Sequence, residues 1–453
     1  MLPKIKTSIP GPLSKKLALK LRKYESRNIT FVSKGFPVFW SKAKNANIWD
    51  VDGNRYVDFT SAFGVATLGH TNPQITGDLR LQSRDLIHAM GDVHPSELKV
   101  TLCQKLSEIT FEKWTRRSNS KIHGKTILCN SGFEAVEAAL KTAHLLTGKK
   151  RVLAFSGSYH GLGFGALDVT GWPEFRSPFK KIIADFADFL PYPQGHHCSI
   201  GKKPAYSTND FMNEFFKKIE RLLKKSLTGA IIVEPIQGRG GEVIPPVWFL
   251  PLLRTMADKY QIPLIFDEIY TGFNRTGSFF ACEDCDGQTV VPDMICLGKS
   301  LTGGLPLSAC VGKAPLMDQA WPESTGEALH TSTFLGNPIA CAMALKSITL
   351  HRDPVILKQI AHTAELLRDS MTKINELSFT GDVRGKGLMW GIEIVNEKGT
   401  PAPSKAVEIM MEGLQKGYIL LNGGLKHNVI SLSPPYNIHP QALTGFSEFL
   451  KGI

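Results

Sequence analysis

Five short apolar runs, separated by amphipathic stretches, constrain the fold of this 453-residue chain more than any other feature. They lie beyond about residue 95 and read "KTILCNSG", "RVLAFSGSYHG", "GAIIVEPI", "PLIFDEI" and "DMICLGKS". A strand that is apolar on both faces must be covered on both sides, which is typical of a parallel sheet between two helical layers. We therefore predict an α/β fold in which residues 95–340 form a large domain around a mostly parallel sheet.

The two ends of the chain predict a smaller α+β domain. Residues 37–61 alternate apolar and polar side chains between turn signals, a pattern that favours an antiparallel meander. Beyond Pro338 the sequence is mainly helical and ends with short α/β pieces. We expect residues 1–94 to supply an N-terminal segment, a helix and part of the small domain, and residues 341–453 to supply the rest.

Charge and hydropathy exclude several classes of function. The formal net charge is +12, but the lysines lie in separate stretches such as "SKKLALKLRK" and "FFKKIERLLKK", which are typical of solvated helix faces. No aromatic-interleaved basic motif accompanies them, so we expect no nucleic-acid partner. No run of about 18 apolar residues occurs, and the basic N-terminus lacks the apolar core of a secretory signal. We expect no membrane association and a cytoplasmic location.

The eight cysteines favour free thiols over disulfides, because most lie in apolar contexts. One pair, Cys282 and Cys285, has zinc-ligand spacing but no second pair beside it. A zinc site there would need remote ligands such as Cys198 with His196 and His197. We predict an ordinary loop and no metal.

Polar side chains follow the predicted strands, at the sheet edge where open parallel sheets bind ligands. Asp267 directly follows "IPLIF", where it is either a helix cap, a structural ion-pair partner or a counter-ion for a bound cation. A predicted helix begins at Ser131, Gly132 and Phe133. Ser131 either only caps this helix, or the helix start binds an anion. Lys299 enters the small-residue loop "GKSLTGG", where its amine either reaches solvent or has space for a ligand beside it.

Two further strand-end motifs carry aromatic and hydroxyl groups. "SYHG" places Tyr159 and His160 beside glycines, where the ring either packs in the core or stacks on a flat ligand. "HTSTFLGNP" places the Thr333 hydroxyl in a loop, as a helix cap or a ligand contact. An anion cradle, a stacking ring, a buried acid and an amine together match pyridoxal 5′-phosphate, in which the lysine forms a Schiff base and the acid keeps the pyridine nitrogen protonated.

From about Ser33 onward the sequence resembles the class III aminotransferases, the 4-aminobutyrate- and ornithine-like enzymes of PLP fold type I. The motifs, in chain order, are "IWDVDGNRYVDFTSAFGVATLGHTNP", "NSGFEAVEAA", "YHG", "VEPIQG", "FDEIYTGFNRTG", "GKSLTGGLPLSA", "STFLGNP" and "VRGKGLMWGIE". The resemblance implies a seven-stranded sheet, catalytic Lys299 and Asp267, and a cofactor shell of Ser131, Gly132, Phe133, Tyr159, His160, Glu234, Asp267, Ile269, Tyr270, Lys299 and Thr333. It also implies a homodimer in which Thr333 completes the neighbouring site, and substrate contacts from Arg384, Arg239 and Phe63.

Two departures from the family bear on the substrate. Leu162 stands where ornithine and 4-aminobutyrate relatives have an arginine, and Arg239 stands where they have a glutamate. Both changes argue against an ω-amino acid of the 4-aminobutyrate type. We hypothesise that Arg239 contacts an anionic substrate group; the alternative is a surface ion pair, for example with Glu242.

The predicted reaction is transamination by a ping-pong mechanism, between an amine or amino-acid donor and a keto acid or aldehyde, through a Schiff base on Lys299. The same groups also suit racemisation or epimerisation, 1,2-aminomutation and phospho-lyase chemistry, so these remain alternatives. A scaffold without catalysis is a third class, which the presence of both Lys299 and Asp267 disfavours.

Overall fold

The computed structural model describes residues 1–33, 35–116, 121–195, 200 and 208–453. The strands of this part are β1 (Trp40–Lys44), β2 (Asn47–Asp50), β3 (Arg55–Asp58), β4 (Gly124–Cys129), β5 (Arg151–Phe155), β6 (Ala187–Leu190), β7 (Thr228–Val233), β8 (Leu264–Asp267), β9 (Met294–Leu297), β10 (Ser308–Lys313), β11 (Thr380–Lys386), β12 (Met389–Ile394), β13 (Tyr418–Ile419), β14 (Leu421–Gly423) and β15 (Val429–Leu432).

Besides one-turn 3-10 helices such as Lys299–Leu301, the helices of the same ranges are α1 (Pro12–Tyr24), α2 (Ser61–Gly64), α3 (Pro73–Asp85), α4 (Glu97–Ile109), α5 (Phe111–Trp114), α6 (Gly132–Thr147), α7 (Phe164–Val169), α8 (Pro173–Arg176), α9 (Thr208–Leu223), α10 (Phe249–Tyr260), α11 (Ala314–Ala320), α12 (Pro338–Leu350), α13 (Pro354–Ile374), α14 (Pro403–Gln415) and α15 (Pro440–Lys451). None of these helices is long and apolar enough to cross a bilayer.

The central sheet has seven strands in the order β4-β10-β9-β8-β7-β5-β6. Strands β9, β8, β7, β5 and β6 run parallel, and β10 is antiparallel to both of its neighbours. Alternate residues of β7 face two different cores: Ile231 and Val233 pack on one side, Ala230 and Ile232 on the other. The predicted mostly parallel α/β sheet is confirmed, and its both-face burial explains the apolar runs.

Two further sheets have four strands each: β1-β2-β3-β13, which combines strands from both ends of the chain, and β11-β12-β15-β14, which is formed by the C-terminal region. The meander β1-β2-β3 is antiparallel, as its alternation predicts, and β13 from the C-terminal region pairs parallel with β3. A shared apolar core joins residues from both ends of the chain, for example Phe59 and Phe446, whose ring centroids are 4.6 Å apart. The division at residues 94 and 340 stays a prediction.

The described cysteines are free thiols, and no group of three or more potential metal ligands occurs within the described ranges. Cys282 is buried and Cys285 is half-buried. The remote zinc ligands considered above, Cys198, His196 and His197, lie outside the described residues.

The element α2 differs from the others because its backbone is left-handed. Ser61, Ala62, Phe63 and Gly64 have φ angles of 46°, 48°, 62° and 78°. Asp58 accepts hydrogen bonds from the N–H groups of Thr60 (2.7 Å) and Ala62 (3.1 Å), which holds the turn. Three consecutive L-residues in this region cost about 1–2 kcal/mol each, so the surrounding structure must over-determine it.

Candidate active site

A cavity of about 880 Å³ lies at the carboxyl ends of β5, β7, β8 and β9. Parallel strands bring these ends to one edge, where open α/β sheets place their ligands. Loops after the strands, α2 and the C-terminal sheet form its wall, which consists of Phe63, Val65, Asn130, Gly132, Phe133, Tyr159, His160, Gly161, Leu162, Glu234, Gly238, Arg239, Glu242, Asp267, Ile269, Tyr270, Lys299, Gly304, Leu305, Pro306, Leu307, Leu421, Asn422, Gly423 and Ser431.

Lys299 presents a half-buried amine to this cavity. The residue follows β9 through Gly298 and has a φ of 46°, in a one-turn helix that turns the side chain inward. Its Nζ lies 4.3 Å from the centroid of the Tyr270 ring and makes no hydrogen bond or ion pair within the described ranges. Burial lowers the pKa of the amine, although the nearby carboxyl groups of Asp267 and Glu234 oppose that shift. The lowered pKa increases the neutral, nucleophilic fraction of this amine relative to that of an exposed lysine.

Asp267 is the last residue of β8 and is almost fully buried. Its Oδ2 lies 2.8 Å from Nδ1 of His160, and its Oδ1 accepts the N–H of Ile269 at 3.1 Å. The Nε2 atom of His160 is buried without a partner in the described part of the chain. Because a carboxylate can only accept, Nδ1 of His160 must carry the proton and donate it to Oδ2 of Asp267. This hydrogen bond fixes the orientation of the Asp267 carboxylate.

The first turn of α6 has the polar groups of an anion cradle. Glu134 accepts the N–H groups of Asn130 (2.7 Å) and Ser131 (3.3 Å), which fixes the strand-to-helix turn. The Ser131 Oγ is buried without a hydrogen-bond partner among the described atoms, and Gly132 and Phe133 are the first two helical residues, whose N–H groups have no intrahelical acceptor. A Cβ on Gly132 would lie 3.0 Å from Cδ1 of Ile269, so only glycine lets the Ile269 side chain pack this closely against the start of the helix. Such a helix start suits a phosphate group.

Tyr159 and Ile269 both line the cavity, beside the Lys299 amine. The N–H of Tyr159 donates to Oε1 of Glu234 at 2.8 Å, and the N–H of Gly238 donates to Oε2 at 3.1 Å. Burial raises the pKa of Glu234 to about 7. This buried carboxyl group therefore fixes the loops after β5 and β7 relative to each other.

Arg239 lies on three aromatic rings at the cavity wall. Its guanidinium carbon is 5.4 Å from the Tyr159 ring centroid, 5.5 Å from that of Trp172 and 5.0 Å from that of Phe175. The surface ion pair with Glu242 is absent from the described structure, so that alternative is wrong: Arg239 is exposed, whereas Glu242 is buried. The guanidinium N–H groups of Arg239 make no hydrogen bond or ion pair within the described ranges, so they are available for an anion.

Arg384 does not line the cavity. Its Nε and Nη2 donate to the carbonyl of Gly241 (3.0 and 2.6 Å), and its Nη1 donates to Asp382 (2.9 Å) and Glu393 (3.1 Å). Four hydrogen bonds therefore hold the buried guanidinium in its present position. Its contact with a substrate carboxylate stays a prediction.

The remaining predicted residues differ in their location. Phe63 lines the cavity from the left-handed turn and is 59% exposed. Tyr270 lines it too, and its hydroxyl donates to Oγ of Ser433 at 3.0 Å. Thr333 is exposed and outside the cavity wall.

Sequence reasoning missed Glu242 as a wall residue, as well as the wall formed by Leu421–Gly423 and the left-handed turn. The available signal for Glu242 was an acid directly before the apolar "VIPPV" and after two glycines. No comparable local signal marked the C-terminal strands, because only the tertiary fold brings them to the site.

Pyridoxal 5′-phosphate fits the residues present. The orphaned Ser131 Oγ and the free N–H groups beside it match the phosphate, Asp267 with His160 behind it matches the pyridine nitrogen, and the unbonded Lys299 amine matches the aldehyde. On a seven-stranded sheet of this order, these groups define a PLP-dependent enzyme of fold type I.

Comparison with known proteins defines the family. A family model described as "Aminotransferase class-III" matches residues 31–453. A 4-aminobutyrate aminotransferase of Mycobacterium leprae is 34% identical over 99% of this chain and 97% of its own length. An alanine/serine racemase of Pyrococcus horikoshii is 32% identical, covering 96% and 88%. The crystal structure of a Bacillus anthracis aminotransferase aligns with a TM-score of 0.85 at 25% identity, covering 97% and 99%.

The chain belongs to the class III aminotransferases. It is a PLP-dependent transaminase, and the predicted family, cofactor and reaction class are confirmed.

Proposed function

We propose that this transaminase takes the amino group from an amine or amino acid and passes it to a keto acid or aldehyde, in two half-reactions, with Lys299 as the catalytic amine. The observation that carries the proposal is the half-buried Nζ of Lys299, unbonded within the described ranges and aimed into the cavity. When bound, pyridoxal phosphate supplies an aldehyde for covalent attachment and an electron-withdrawing ring.

Lys299 acts first as a nucleophile and then as a proton carrier. Because burial lowers its pKa, a larger fraction of the amine is neutral at mild pH than for a surface lysine. A neutral amine can take the proton from the substrate carbon that bears the reacting nitrogen, and the resulting ammonium can return it one position away. The centroid of the Tyr270 ring lies 4.3 Å from Nζ, so a cation–π contact stabilises the ammonium form while Lys299 carries the proton.

The other cavity residues bind and orient. Ser131, Gly132 and Phe133 hold the phosphate, while Tyr159 and Ile269 enclose the ring from two sides. Asp267 provides the negative charge for the ring nitrogen, and the hydrogen bond from His160 fixes the orientation of that carboxylate.

Arg239 contributes the positive charge at the cavity wall. Three rings hold its guanidinium in place, so its free edges can bind an anionic group of the amino donor or the acceptor acid. The Mycobacterium leprae relative is named for 4-aminobutyrate. By the resemblance described above, however, Leu162 and Arg239 stand here in place of the arginine and glutamate of 4-aminobutyrate and ornithine enzymes. The resemblance-based role of Arg384, gripping a substrate carboxylate, would require it to exchange some of its four present hydrogen bonds.

We also propose a cytoplasmic homodimer in which Thr333 reaches the neighbouring subunit's phosphate site. Exposed apolar side chains near the Thr333 loop and the segment before α4 support an interface: Leu86, Ile87, Met90, Val93, Leu329 and Phe334. Such a set exceeds what scattered surface residues explain. The free thiols of the described cysteines support a reducing compartment. Light scattering of the purified enzyme tests the dimer, and a monomer with full activity contradicts it.

The decisive experiment separates the half-reactions. Holoenzyme mixed with an amino donor and no acceptor should release about one carbonyl product per active site, and adding a keto acid should then restart turnover. Lys299→Ala should abolish the release. The racemase relative makes racemisation the second candidate. Inversion of an amino acid without stoichiometric carbonyl product would favour that reading and contradict transamination.

A further inference from the structure

Glu242 is a buried acid in the cavity wall that the mechanism above leaves unused. Its side chain is 1% exposed, and its Oε2 has no hydrogen-bond partner in the described structure. It lines the same cavity as Lys299, Tyr270 and Arg239. An unsatisfied carboxyl oxygen in such a place is costly unless a ligand completes it.

The backbone around Glu242 is fixed by its neighbours. The carbonyl of Gly238 accepts the N–H groups of Gly241 (2.9 Å) and Glu242 (3.1 Å), and the Gly241 carbonyl accepts two N–H groups of Arg384. A Cβ on Gly391 would lie 3.0 Å from the Glu242 Cβ, so the opposite strand packs closely against it. Glu242 also has a φ of 53°, a conformation in which glycine is less strained. A glutamate held here in spite of that strain indicates a use for its side chain.

The charges around Glu242 define what would bind it. Burial raises the pKa of its carboxyl group, an effect that the charges of Arg384, Arg275 and Lys299 only partly oppose. None of these cations forms an ion pair with it within the described ranges. The guanidinium of Arg384 instead donates its hydrogen bonds to Gly241, Asp382 and Glu393. An incoming ammonium would donate a hydrogen bond to the unpartnered Oε2 and favour the ionised form of the carboxyl group, whereas a carboxylate would place a second anionic group beside it.

We propose that Glu242 is a specificity-determining residue that binds a second cationic group of the substrate, so that diamines are preferred amino donors. This rests on the proposed transaminase function, in which one amine of the substrate reacts at Lys299. The other ammonium then pairs with Glu242 in the same cavity.

Three four-carbon amines with different tails test the proposal: 1,4-diaminobutane, 1-aminobutane and 4-aminobutanoate. A charge-assisted hydrogen bond contributes a factor of about 10–100, so wild-type kcat/KM should favour the diamine over 1-aminobutane by that factor. Glu242→Gln keeps the shape but removes the charge, so the kcat/KM preference for 1,4-diaminobutane over 1-aminobutane should fall to about threefold or less. Glu242→Asp should retain part of the preference.

A binding measurement without turnover provides the second readout. Calorimetry of each amine with borohydride-treated holoenzyme should show tighter binding of 1,4-diaminobutane, lost in Glu242→Gln. Circular dichroism checks that each variant folds; if Glu242→Gln does not, wild type and Glu242→Asp decide the question. Equal wild-type values for the diamine and 1-aminobutane, a preference for 4-aminobutanoate, or a preference that survives Glu242→Gln would overturn the proposal. If borohydride fixes no cofactor on Lys299, the proposed function itself fails instead.

Discussion

Replacing Gly238 by alanine should damage catalysis by moving the Tyr270 ring. A Cβ at position 238 would lie 2.4 Å from Cδ1 and 2.7 Å from Cε1 of that ring. On the opposite edge, a Cβ at position 64 would lie 2.5 Å from Cε2, so Gly64 also packs closely against the ring. Ordinary van der Waals contact begins at 3.4 Å, so the ring must retreat by about 1 Å toward Gly64 or rotate.

That displacement matters because the Lys299 amine lies 4.3 Å from the ring centroid. Misplacing a group of the reactive site by about 1 Å costs roughly 100-fold in rate, and overpacking costs about 1–3 kcal/mol of unfolding free energy. The assays are kcat/KM with an amino donor and urea unfolding. Replacing Tyr270 by the smaller glutamine in the Gly238→Ala background should recover most of the lost stability.

Gly77→Ala is the matched control, because Gly77 lies in α3 and its Cβ would meet nothing within 4 Å. It should leave kcat/KM unchanged and add about 0.5–1 kcal/mol, the usual gain of alanine over glycine in a helix. If Gly238→Ala keeps kcat/KM within about threefold of wild type, the ring does not position the amine and the reasoning fails.

Three further predictions concern the strained turn, the buried acid and the anion cradle. Ala62→Gly should raise the free energy of unfolding by about 0.5–1 kcal/mol, because φ is 48° at position 62 and glycine tolerates that conformation. The control Ala43→Gly in β1 should lower the free energy of unfolding. If urea unfolding shows equal losses for the two variants, the backbone at Ala62 is not strained. The pKa of Glu234 is raised in the folded state, from 4.5 to about 7, so the folded protein binds the extra proton between these values. Wild-type apoenzyme should therefore lose up to about 3 kcal/mol relative to Glu234→Gln as pH rises from 4.5 to 7, with no further change above; a pH-independent difference would refute the shifted pKa. Ser131→Ala should raise the Kd for pyridoxal phosphate about tenfold in equilibrium dialysis, and unaltered binding would remove the Oγ from the cradle.

The large sheet could be predicted from the sequence because its strands are buried on both faces. Residues such as Ile231 and Ile232 face opposite cores, so both must be apolar and the run is visible without any partner. The pairing of β13 with β3 could not be predicted in this way, because two residues carry no periodicity and their partner lies about 360 positions away.

The site was predictable where chemistry follows a strand directly. Lys299, Asp267 and Tyr159 each follow a recognisable apolar run and line the same cavity. The geometry of Arg239 and Arg384 was not predictable, because it depends on three rings in one case and on the Gly241 carbonyl in the other. Nor does any local pattern indicate a left-handed turn through Ala62 and Phe63, which propensity alone disfavours.

The most direct test of the account is where the cofactor attaches. Holoenzyme treated with borohydride, digested and analysed by mass spectrometry should carry the pyridoxyl mass on the peptide containing Lys299. Lys299→Ala should bind the cofactor only reversibly. A label on any other lysine, or wild-type protein that takes up no label, would contradict the assignment of the amine on which every role above depends.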